Sequence, residues 1–148
     1  MIKRDVYREC TLFVNRRLSV LTRQIHELEE GLQSETKSSA GDKHETGRAM
    51  MHLEREKIGQ QLAELEKLKA VLAKIDPEKK SSQASLGSIV YTDKANYFLS
   101  ISAGLVNVDE TSFYAISLQT PVGRLLLNRS VNDTVYFNGT PITIQKIE

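Results

Sequence analysis

The chain has 148 residues, enough for one ordinary domain or two small ones, and its 40% hydrophobic and 26% charged residues are the composition of a globular protein. A net charge of +1 supplies no strong overall field, so the basic excess of a protein that coats duplex DNA is missing. No stretch approaches the roughly 18 apolar residues of a membrane span, no signal-peptide core follows the opening charges, and the lone Cys10 excludes an internal disulfide or a cysteine zinc cluster, so the expected compartment is the cytoplasm.

The first half carries apolar residues at helical spacing. Leu18, Leu21, Ile25, Leu28 and Leu32 follow a 3-4-3-4 pattern that Val14 and Tyr7 extend backwards. A second stripe runs through Met51, Ile58, Leu62, Leu65, Leu72 and Ile75, with Leu68 beside it. These are coiled-coil positions. Between them, 34–47 is polar and holds nothing apolar larger than Ala40. Two helices joined by one short connection pack antiparallel, so 1–76 reads as a coiled-coil hairpin with its tip at about 34–47. Helices of about 30 residues would project the tip by ~45 Å.

Asp76 and Pro77 end the second helix, because the residue before proline avoids the helical region. The polar run that follows makes 77–86 a linker. Beyond it the period becomes that of strands: 88–91, 97–101, 112–118, 134–137 and 142–144 are rich in β-branched and aromatic residues. Thr120 and Pro121 read as an N-cap and a first helical residue, so a short helix is expected over 122–127. Asn138 and Gly139 form a two-residue hairpin turn. The fold class is therefore α+β, a helical hairpin followed by a small antiparallel β domain over 87–148. A core of that size is marginal, and support from the hairpin base is expected.

Two separated segments resemble the Gre transcript-cleavage factors. Gly41, Asp42, Lys43, His44 and Glu45 match the family's tip, Gly-Asp-Leu-Lys-Glu, at Gly41, Asp42 and Glu45. The run Ile116-Ser117-Leu118-Gln119-Thr120-Pro121-Val122-Gly123-Arg124-Leu125-Leu126-Leu127-Asn128 is similar to Ile-Ser-x-x-Ser-Pro-Ile-Ala-Arg-Ala-Leu-Ile-Gly. Asp133 falls where the family has the Asp of its Gly-Asp-x-Val turn, with Asn132 as a second residue tolerant of the left-handed region. After Glu45 the sequences part: Thr46, Gly47, Arg48 and Ala49 stand where the family has Asn-Ala-Glu-Tyr.

The resemblance implies an FKBP-like C-terminal domain without isomerase activity, docked at the rim of the secondary channel of bacterial RNA polymerase. The hairpin would enter that channel. The chain would not itself be an enzyme and would hold no tightly bound cofactor. Asp42 and Glu45 would act as the catalytic carboxylates, helping to hold the second Mg²⁺ of the polymerase while it hydrolyses the 3′ end of its own backtracked RNA. Thr120, Pro121, Arg124 and Asp133 would serve docking or domain stability.

That chemistry suits these residue types. Two-metal hydrolysis needs one ion on the attacking water and one on the leaving oxygen, and Mg²⁺ takes one or two carboxylates plus water and phosphate. An i, i+3 spacing puts Asp42 and Glu45 on one face if a helix begins near Asp42, where its dipole favours anions. Either acid is also placed to orient the water as general base. Gly41 supplies backbone freedom just before them.

Plainer readings stand beside these. Loop carboxylates are commonly helix caps and surface acids. Lys37 and Arg48 are candidate contacts to transcript phosphates, or solvated cations. His44 and His52 fit no zinc spacing and read as surface residues. Cys10 reads as a small helix residue, since no partner base is evident. Two other functions remain open: a channel-binding regulator that promotes no cleavage, which the mixed charge of the tip favours, and, more remotely, an FKBP-like isomerase or chaperone with a coiled-coil arm. The first two imply a monomer.

Overall fold

A computed structural model describes residues 2–37 and 42–148, the side chains of 35–37 and 42–45 excepted. The chain is α+β: two long helices, α1 (Ile2–Lys37) and α2 (Asp42–Ala73), precede a six-stranded mixed sheet. It divides into two compact units, Val14–Leu68 and Met1–Phe13 with Lys69–Glu148. No helix among the described residues is long and apolar enough to cross a membrane.

In the unit Val14–Leu68, Leu18, Leu21, Ile25 and Leu28 are each half-buried between exposed neighbours, and Leu32 is half-buried beside Gly31. Ile58 and Leu65 of α2 are buried, and Met51, Leu62 and Leu68 are half-buried. Arg55 bonds Glu29 at 3.1 Å, and a Cβ on Gly31 would meet the Met51 methyl at 3.3 Å. Rising numbers on one helix thus meet falling numbers on the other, and the two run antiparallel. The seam's seven-residue repeat, Met51, Ile58 and Leu65, asks for a second apolar residue at 55. Arg55 stands there and reaches sideways to Glu29, half-exposed at both ends.

The other unit holds the sheet: β1 (Ile89–Thr92), β2 (Asn96–Ser100), β3 (Gly104–Val108), β4 (Thr111–Ser117), β5 (Thr134–Phe137) and β6 (Thr140–Ile147), with α3 (Pro121–Leu126) between β4 and β5. The order is β3-β4-β2-β1-β6-β5. This corrects the expected antiparallel sheet, because β2 and β4 pair in parallel, Tyr97 opposite Tyr114 through Ser100 opposite Ser117. The cause is β3, a strand that the sequence pattern did not mark. It runs back from β2 one place further out, and β4 then folds in between them.

One face of the sheet buries Val90, Leu99, Val135, Ile142 and Ile144 against Leu126 of α3. The residues between them in sequence, Ile89 and Phe98, are equally buried on the opposite face, as is Phe113. Ser100 shares the face of Phe98 and lies near Cys10 of α1, its buried hydroxyl without a hydrogen-bond partner among the described residues. The first turns of α1 therefore lie against that face, with Val6 and Cys10 fully buried. The Tyr7 hydroxyl donates to Leu72 O at 2.8 Å and ties α1 to the end of α2.

The polar run 77–86 is fastened to this unit. Lys3 Nζ donates to Lys79 O at 2.6 Å, and Arg4 pairs with Glu78. Ala84 is fully buried, its N–H donating to Arg129 O and its carbonyl accepting from Asn128 N. Gly87 has φ +90, and a Cβ there would lie 2.9 Å from Ile75.

Candidate functional site

α2 spans Asp42–Ala73, so Asp42 and Glu45 lie on it three residues apart. The side chains of Lys37, Asp42 and Glu45, and all of Gly41, lie outside the described residues. Arg48, one turn further along α2, is exposed, as is His52.

The second motif is fully described, and its local chemistry is legible residue by residue. Thr120 caps α3 in an extended conformation. Its hydroxyl accepts from Gly123 N at 3.1 Å and donates to Ser117 O at 2.7 Å. Pro121 sits at the first helical position, where its missing N–H costs nothing. Arg124 lies in the last turn with its side chain exposed. Asn128 has φ +67, in the place of the motif's glycine, so the helix ends on a left-handed residue at the position where the family keeps its most permissive one. Asp133 Oδ2 accepts from Ser130 N at 2.8 Å, and Asp133 O accepts from Ile144 N. Asn132 beside it has φ +76. Thr120, Pro121 and Asp133 thus hold local structure, and Arg124 is the charged side chain of this set that is exposed.

Three features went unread in the sequence. Gly123 is enclosed: a Cβ there would stand 2.3 Å from Ser117 O and 2.9 Å from Thr120 Oγ1. The β3–β4 end of the sheet carries an apolar row, in which Leu105 faces Tyr114 and Tyr114 faces Tyr97. Leu105 and Tyr114 are about half exposed, and the two tyrosine rings lie 6.1 Å apart. This row is on the same side of the sheet as α3, since Tyr97 packs against the Leu99–Leu126 cluster. Lys3 is the third: it is 95% buried on α1 by its 5% exposure. A signal existed for it, because Lys3, Val6, Tyr7 and Cys10 follow helical spacing and the last three belong to an apolar face.

Among the described residues no three or more His, Cys, Asp or Glu side chains group to hold a metal ion. The chain matches no protein-family model, and no curated protein matches it.

Proposed function

We propose that this chain is a secondary-channel factor of bacterial RNA polymerase, of the Gre type, which stimulates cleavage of backtracked RNA. The observation that carries the reading is that Asp42 and Glu45 lie three residues apart on α2, one helix of an antiparallel pair. That spacing makes them neighbours in one helical turn. Their oxygens would complete the shell of an Mg²⁺ belonging to the polymerase. Arg48, exposed one turn away, would face transcript phosphate, with Lys37 as a second cation.

The β half supports the same reading. In this reading the mixed sheet with its one short helix would be the FKBP-like domain that the resemblance implies, and the capped α3 carries the longer of the two motifs. Docking would use Arg124 and the exposed row Leu105–Tyr114–Tyr97.

The test is a backtracked elongation complex given the protein and Mg²⁺. Short 3′ RNA fragments are expected from the unaltered chain. They should vanish in Asp42→Asn and Glu45→Gln while polymerase binding persists. Binding with no fragments from the unaltered chain would instead indicate a regulator that occupies the channel without promoting cleavage. Absence of binding would sink both readings and leave the isomerase or chaperone.

A further inference from the structure

Lys3 poses a problem that the proposed function does not touch. Lys3 is buried on α1 as a residue, and its part-buried ammonium donates to Lys79 O at 2.6 Å. No carboxylate among the described residues lies within ion-pair distance of it. A buried cation held by a single neutral carbonyl is an expensive arrangement. Burial accordingly lowers its pKa, the charges of Glu148 and Asp76 oppose that, and nearby Lys80 adds to it.

In front of Lys3 lies a cavity of about 290 Å³, lined also by Ile2, Pro77, Glu78, Lys80 and Glu148. The two acids of the lining are already engaged. Glu78 is paired with Arg4, and Glu148 with Lys146 at 2.7 Å and the Tyr91 hydroxyl at 3.3 Å. Asp76 accepts from Glu78 N. Among the described residues, neither Lys3 nor Lys80 has a carboxylate within ion-pair distance, although Glu148 and Asp76 act on Lys3 from further off.

We infer that this cavity is a binding site for a small phosphate-bearing anion, held between the buried Lys3 and Lys80. A phosphate offers several acceptor oxygens and up to two negative charges, which two ammonium groups can match together. A lone carboxylate matches them less well. The group has two possible sources, free phosphate or a phosphate ester, and both present the same oxygens.

Calorimetric titration of the full chain, at ionic strength held constant with chloride, tests the site. Inorganic phosphate and a nucleoside monophosphate are the two probes. Saturable binding of at least one is expected, and the tighter of the two reveals whether the site holds more than the phosphate group. Lys80→Ala should weaken binding at least tenfold and, because Lys80 is exposed, leave the circular dichroism of the chain unchanged. Lys3→Met should abolish binding. Its folding is secured by the apolar substitute, and Lys80→Glu supplies a second loss variant. No saturable binding of either probe, or binding that survives Lys80→Glu, overturns the site. The titration uses no polymerase, so its failure leaves the cleavage reading standing.

Discussion

Substituting Gly123 by alanine sets two opposing effects against each other. Alanine in a helix is favoured over glycine by about 1 kcal/mol. The new Cβ, however, would stand 2.3 Å from Ser117 O. That oxygen has little freedom to retreat, for it accepts from Thr120 N at 3.1 Å and from Thr120 Oγ1 at 2.7 Å. Thr120 Oγ1 is itself 2.9 Å from the added atom and is the cap of α3. Overpacking costs about 1–3 kcal/mol, and a lost N-cap about 1 more. With the helix gain subtracted, a net loss of about 1–3 kcal/mol follows. For a domain of this size that is a fall in Tm of about 5–20 °C. Urea and thermal melts followed by far-UV circular dichroism measure it. A neutral or stabilised Gly123→Ala would refute the reasoning, since it would mean that the turn over Ser117–Thr120 is more open than described.

Burial pushes the Cys10 thiol up to about 11, two units above its usual value, so at neutral pH the thiolate fraction falls roughly 100-fold. Thiol reagents should modify the native chain at least that much more slowly than the chain in urea; equal rates would place Cys10 at the surface. Burial, aided by the Glu148 carboxylate, raises Tyr91 to about 12. Because the folded-state value lies above that of the unfolded chain, its contribution is intact below pH 10 and lost as pH rises towards about 12. Ultraviolet titration should find a tyrosine of the five ionising near 12, a component absent in Tyr91→Phe, which should also soften the alkaline loss of stability.

The helical half was readable because one rule governs it. A stripe at seven-residue spacing makes two helices, and the half-buried positions 18, 21, 25, 28 and 32 follow it. The hairpin turn was equally local: Asn138 and Gly139 both have positive φ, as a two-residue connection between right-twisted strands requires. What escaped was decided by partners distant in sequence. β3 is a five-residue edge strand with Asn107 inside it and one residue buried, so it has no strong period of its own. The parallel pair of β2 and β4 then follows from where β3 lies. The run 77–86 looked like linker because its side chains are polar, yet its backbone groups pair with Arg129 and Asn128. Of the candidate site, the order and spacing of the residues were legible. The division of labour within the second motif was not, because cap, turn and exposed cation share the same few residues.

Arg55 has a consequence for the coil as a lever. Ile58, Leu65 and Leu72 are buried one heptad apart, so α2 packs best towards its C-terminal end. At 55 the seam loses an apolar side chain and gains a half-exposed ion pair with Glu29, worth less than about 1 kcal/mol. A step further, Met51 packs against Gly31, which offers no side chain in return. A fully buried leucine at 55 would add about 2 kcal/mol of apolar burial, against the loss of the pair. Arg55→Leu should therefore slow amide exchange around 51–58 by roughly tenfold, since about 1.4 kcal/mol is one decade, and leave 62–72 nearly unchanged. Exchange read by mass spectrometry on peptides spanning both stretches decides it. Equal protection of 51–58 and 62–72 in the unaltered chain would show that the seam is uniform and that Arg55 costs it nothing.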